Sequence, residues 1–183
     1  NSIFREYDIR GIADIDLKDD VVSDIGMAMG TMFALNGVKR ISVGRDCRKS
    51  SERIFRKLSE SIAIAGIDIV DLGLITTPVL YFSLYGIEVD GGVMITASHN
   101  PSDYNGFKAA IGKNVLSADQ IQDIKKIIEK KSFIQNEKIG QIQTLNLIDL
   151  YKKDILKSIS LKKKLKIGVD CANTPIGLFA KDI

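Results

Sequence analysis

The chain has 183 residues, 45% hydrophobic and 27% charged, enough apolar material for one ordinary core with some left over. A formal net charge of +3 is too small to argue for nucleic acid, and no apolar stretch approaches the roughly 20 residues needed to cross a bilayer. Two cysteines, Cys47 and Cys171, match no metal or redox spacing and read as free thiols. With no signal-peptide pattern at the amino end, a cytoplasmic protein is expected, without nucleic-acid or membrane partners. The first residue is Asn1 rather than methionine, so the natural polypeptide is expected to begin upstream.

In chain order, Asp19-Asp20 followed by Val21, Val22, Ile25, Met29, Met32 and Phe33 predicts a helix closed by Gly37. Arg40–Gly44 reads as a short strand, followed by Arg45-Asp46-Cys47-Arg48. Ser50 or Ser51 is expected to cap a helix through Ile54, Leu58, Ile62 and Ala65, stopped by Gly66. Ile67–Leu72 is a second strand, and Thr77-Pro78 opens another helix. Gly91–Thr96 is apolar, β-branched and glycine-bounded, the pattern of a buried strand. Gly106–Ile111 reads as a returning strand, and Ser117-Ala118-Asp119-Gln120 fits a capping box before the apolar stripe Ile121, Ile124, Ile127 and Ile128.

Strands alternating with amphipathic helices predict an α/β fold. The return at 106–111 is too close for a helical crossover, so the sheet should be mixed. Residues 1–144 are therefore expected to form a mixed-sheet α/β/α sandwich domain. The pattern weakens at 136–146, and a second α/β domain is expected to begin at 145–183. It would hold a helix through Leu150, Ile155 and Ile159, a strand Leu165–Asp170, and a loop leading to a helix start near Ile176. Such a unit is too small to bury a core and is expected to be incomplete. The lysine pairs 125–126 and 130–131 and the run 162–164 lack interleaved aromatics and read as solvated faces.

The chemistry concentrates in Thr96-Ala97-Ser98-His99-Asn100-Pro101 and Tyr104-Asn105-Gly106-Phe107-Lys108. Ser98 falls just past a strand's carboxyl end, where α/β sheets place ligands. His99 is the adjacent residue, and side chains of neighbours in an extended stretch point apart, so a direct Ser98–His99 dyad is not expected. A phosphorylated serine fits better, because it needs donors and cations around it rather than a base. Asn105-Gly106 is expected to make the turn that folds Lys108 back toward Ser98. Pro101 should hold Asn100 extended and the loop open. A lysine acting on a hydroxyl would need burial or cationic neighbours.

These two runs resemble the phosphoserine loop of the α-D-phosphohexomutases, and within them the bacterial phosphomannomutase/phosphoglucomutase branch. Phe4-Arg5-Glu6-Tyr7-Asp8-Ile9-Arg10-Gly11 is similar to that branch's amino-terminal signature, and Gly44–Ser51 to a further block. Val169-Asp170-Cys171-Ala172-Asn173 resembles the first strand of the family's second domain, although Thr174-Pro175 departs from its glycine-rich pattern. The resemblance implies that Ser98 carries the phosphoryl group passed to a hexose phosphate through a hexose bisphosphate. Phosphate would thereby shift between the 1 and 6 positions of mannose or glucose. It implies proton transfer by Lys108 and substrate contacts by Tyr7, Arg10, His99 and Asn100. It also implies Mg2+, whose one nameable ligand here is the phosphate on Ser98. Arg45, Asp46 and Arg48 read as a structural salt-bridged turn outside the site. The family's metal, sugar-selecting and phosphate-binding loops lie in further domains, so the chain is expected to be part of a longer enzyme and inactive alone. Two other readings are a non-catalytic phosphate-binding or assembly module on the same scaffold and a phosphoserine-independent hydrolase.

Overall fold

In the computed structural model, which describes residues 3–163 and 165–182, the elements alternate through most of the chain. They are β1 (Ile9–Ile12), α1 (Asp19–Leu35), β2 (Arg40–Arg45), α2 (Ser51–Ala63), β3 (Asp68–Leu74) and α3 (Thr77–Gly86). There follow β4 (Gly91–Ile95), β5 (Tyr104–Ile111), β6 (Asn114–Val115), α4 (Ala118–Lys130), β7 (Ile142–Thr144) and α5 (Ile148–Ser158). The strands form one sheet in the order β1-β5-β4-β2-β3-β7, with β6 paired to β5. β4, β2, β3 and β7 run parallel to one another, whereas β5 is antiparallel to both β4 and β1. The sheet is mixed, as the short return after β4 requires.

Alternation along each strand divides the apolar residues between two layers. Ile41, Val43, Ile69, Val93, Ile95 and Phe107 pack with Ile25 of α1, Ile54 and Leu58 of α2, and Ile124 of α4. Val70, Leu72 and Met94 face the other way, against Val79 and Leu80 of α3. Each fully buried aliphatic side chain contributes about 1.5–3 kcal/mol, so the central strands are fixed from both faces. Gly37 and Gly66 follow α1 and α2 in the left-handed region, with φ of 72° and 83°. At α4 the capping box forms as expected: Ser117 Oγ accepts from Gln120 N–H, and Gln120 Oε1 accepts from Ser117 N–H.

Four expectations are corrected. Ser50 and Ser51 do not cap α2, because their hydroxyls are engaged by Asn105 and Asp46 instead. Asn105 and Gly106 lie inside β5 rather than in a turn. Leu165–Asp170 forms no strand: Leu165, Ile167 and Val169 are 53%, 70% and 63% exposed, and among the described residues no strand lies alongside to satisfy the backbone. The helix start after Pro175 is two 3₁₀ turns, Pro175–Leu178 and Ala180–Asp182. Sequence reading did not find the edge strands β1, β6 and β7, which are short; every residue of the last two is exposed.

Leu147 and Phe179 are buried against the α3 layer, and Tyr151 meets Phe82 and Phe179 edge-on at 5.4 and 6.5 Å. Two lysines of α4 are paired along the helix, Lys125 with Glu129 and Lys126 with Asp123. Asn1 and Ser2 of the amino end and Lys164 of the 162–164 run lie outside the described residues.

Candidate active site

β2 and β4 are parallel neighbours, so their carboxyl ends open side by side and the loops that follow them meet. The joint is one carboxylate. Asp46 Oδ1 accepts from Ser51 Oγ at 2.7 Å and Arg48 N–H at 3.1 Å. Asp46 Oδ2 accepts from Thr96 Oγ1 at 2.8 Å and Arg48 Nε at 3.1 Å. Thr96 Oγ1 in turn accepts the Ser98 N–H at 3.1 Å.

Arg48 reaches across to the second loop. Its Nη1 donates to the carbonyls of Pro101 (2.5 Å) and Tyr104 (3.0 Å), and its Nη2 to those of Ser98 and Asn100 (2.9 Å each). Arg45 is a structural group, paired with Asp71 at 2.7 Å and Glu52 at 2.8 Å and lying over the Phe55 ring. The salt-bridged turn is therefore present, and Arg48 in addition gathers the loop that carries Ser98.

Ser98 is exposed and has φ of 55°, a left-handed conformation that costs a non-glycine residue about 1–3 kcal/mol. The loop is thus not extended at this residue, and the expectation that Ser98 and His99 point apart fails. Ser98 Oγ lies 3.2 Å from His99 Nδ1. Asn100 N–H donates to Ala97 O at 3.1 Å and closes the turn.

A second set of groups sits on the α3 face of the sheet. Lys108 is directly opposite Met94 in the β4–β5 ladder and shares its face. Arg10 lies opposite Gly106, two residues away on the same face of β5. A Cβ at Gly106 would meet Ile9 O at 2.3 Å and Arg10 Cα at 3.1 Å, so only glycine lets β1 come this close. The buried Asp8 carboxylate joins the cations: it pairs with the Arg10 guanidinium and lies 3.7 Å from Lys108 Nζ. Arg10 Nη1 also donates to Asn100 Oδ1. An unbroken series, Lys108–Asp8–Arg10–Asn100, therefore runs from β5 to the Ser98 loop. Where burial or cationic neighbours were expected around Lys108, it is about a third exposed and its ion partner is a carboxylate.

Tyr7 stands apart from this series. It is 66% exposed, and its hydroxyl bonds to Glu6, whose carboxylate raises the phenol pKa. Ser98 and Asn100 line a cleft of about 780 Å³ with Arg48, Lys49, Ser102 and Asn173. Cys47 Sγ lies 3.2 Å from Asn173 O across it. Both cysteines are free; Cys47 is exposed and Cys171 half-buried. Sequence reading missed Asp8 and the loop-gathering role of Arg48. Asp8 immediately precedes β1, a strand too short to show a period. The reach of Arg48 across 50 residues of sequence to Ser98 left no local trace.

Among the described residues, no three His, Cys, Asp or Glu side chains are placed to hold a metal ion. Asp46 is engaged by Arg48, Thr96 and Ser51. These residues alone do not make a magnesium site, which calls for several oxygen ligands. Among them, too, no helix is long and apolar enough to cross a membrane.

Residues 1–135 match the family described as phosphoglucomutase/phosphomannomutase, alpha/beta/alpha domain I. The phosphoglucomutase of Neisseria gonorrhoeae is 38% identical over 97% of this chain and 39% of its own length. The phosphomannomutase/phosphoglucomutase of Pseudomonas aeruginosa is 36% identical over 100% of this chain and, again, 39% of its own. A crystal structure of a phosphoglucomutase/phosphomannomutase family protein from Burkholderia thailandensis superposes with a TM-score of 0.93 at 35% identity, covering 98% of this chain and 41% of that one. The chain thus spans about 39% of the length of the curated relatives it matches. On the match over residues 1–135 and the shared sheet, the chain belongs to the phosphoglucomutase/phosphomannomutase family.

Proposed function

We propose that this chain supplies the phosphoryl-carrying part of a phosphohexomutase that moves phosphate between the 1 and 6 positions of mannose or glucose phosphates. One observation carries the reading: in a member of this family, Ser98 presents an exposed hydroxyl from a left-handed turn at the carboxyl end of β4, on the rim of a cleft. Residues 1–144 act as the phosphoserine domain and 145–183 as the opening of a second. The remaining domains correspond to the length of the relatives that the chain does not cover.

In the first step the Ser98 Oγ–P bond breaks as a P–O bond forms to a sugar hydroxyl. The proton of that hydroxyl leaves through Lys108, and Ser98 Oγ takes up a proton. The sugar then carries two phosphates, turns in the cleft, and returns the other one to Ser98 Oγ, whose proton passes to the sugar oxygen. Phosphoryl transfer of this kind needs positioning and charge more than covalent chemistry from the protein. Arg10 and Asn100, bonded to each other, hold the substrate, with exposed His99 and Tyr7 on its approach. Mg2+ on the phosphoserine oxygens would neutralise charge on the transferred group, its other ligands coming from outside the described residues. The free thiols and a phosphorylated sugar substrate fit a cytoplasmic setting.

In the full-length polypeptide, Ser98→Ala is expected to abolish interconversion while thermal unfolding is unchanged, because the residue sits on an exposed loop. Substantial remaining flux would refute the phosphoserine role. Lys108→Met is expected to lower kcat far more than it raises KM; an effect confined to KM would exclude proton transfer.

A further inference from the structure

We infer that Arg48 is the positioning residue of the phosphoryl-carrying loop: its guanidinium fixes the left-handed backbone that aims Ser98 Oγ into the cleft. The inference rests on the phosphoserine reading and adds to it a group that never touches the transferred phosphate. Ser98 adopts φ of 55° without being glycine. Such a conformation persists only where the surroundings over-determine it. The surroundings here are mostly one side chain, since Arg48 donates to the carbonyls of Ser98, Asn100, Pro101 and Tyr104. Its Nε is held by Asp46, which also anchors Thr96 and, through it, the Ser98 N–H. Both backbone polar groups of Ser98 thus depend on the Asp46–Arg48 pair. All five donors of a guanidinium lie in one planar fork, and four go to this loop. A lysine has a single charged nitrogen and cannot span the same carbonyls.

The full-length protein, stripped of phosphate, is mixed with labelled hexose 1,6-bisphosphate, and label uptake at Ser98 is timed beside steady-state turnover. For Arg48→Ala, uptake is expected to fall about 100-fold, the scale set by a misplacement of about 1 Å. KM for hexose monophosphate should change by less than about threefold, because Arg48 acts on the carrier and not on the sugar. Arg48 lines the cleft, so added methylguanidinium should enter the vacated space and restore uptake at least about tenfold, whereas methylammonium should not. Arg48→Lys keeps a cation beside Asp46 and should remain impaired; it carries the test if the alanine variant fails to fold. Wild-type uptake in either variant, or a loss seen only in KM, overturns the assignment. If the unaltered protein takes up no label at Ser98, the phosphoserine reading fails and this inference with it. If the unaltered protein and both variants label alike, only the role of Arg48 fails.

Discussion

Gly91–Ile95 and Leu165–Val169 are both short and apolar, with β-branched residues, yet they end in opposite states. Every residue of the first is buried, because β2 and β5 flank it and helices cover both faces. The apolar residues of the second stand in solvent, and no strand pairs with it among the described residues. Alternating apolar residues therefore make a strand only where a neighbour takes up the backbone bonds. The same contrast governs chemistry: Ser98 follows the paired strand and inherits a fixed loop geometry, while the 171–174 turn follows the unpaired one and is held chiefly by its own contacts.

The comparison can be broken at several places. Ile95→Ala removes a fully buried side chain and is expected to lower stability by about 2–5 kcal/mol in urea unfolding; a loss below about 1 kcal/mol would deny β4 its central place. Gly106→Ala places a Cβ 2.3 Å from Ile9 O and should cost about 1–3 kcal/mol. Its mark should be faster amide exchange along β1, and unchanged exchange there would show that the close approach is not constrained. Thr96→Val removes the hydroxyl that joins Asp46 to the Ser98 N–H and should cost about 1 kcal/mol. That variant should also shift the Ser98 amide resonance, and an unmoved resonance would sever the loop from the carboxylate. In the chain of residues 1–183, Ile167→Ala, in the exposed stretch, should stay within about 0.5 kcal/mol of the parent; a loss as large as that of Ile95 would mean the two stretches are alike after all.

Most of the frame was legible in the chain. The helical stripe of Val22, Ile25, Met29 and Phe33, the capping box at Ser117 and the close return after Ile95 each obey short-range rules, and all three appear in the structure. The Ser98 loop was legible as a motif, though not in its geometry. A local rule put Ser98 and His99 on opposite sides, and a left-handed φ brought them to 3.2 Å. Asn105-Gly106 carries turn chemistry, yet the pair serves β5: Asn105 reaches Ser50 and Ser51, and Gly106 admits β1. What escaped reading depends on contacts distant in sequence, as with Arg48 and the Ser98–Tyr104 segment, or on elements too short to show a period, as with β6 and β7.

The most direct test is residue-resolved mass spectrometry of the full-length protein after exposure to isotope-labelled hexose 1,6-bisphosphate. The account predicts label on the Ser98 side chain, removed again when unlabelled hexose monophosphate is added. Label on another residue, or label on Ser98 that no sugar phosphate removes, would contradict it.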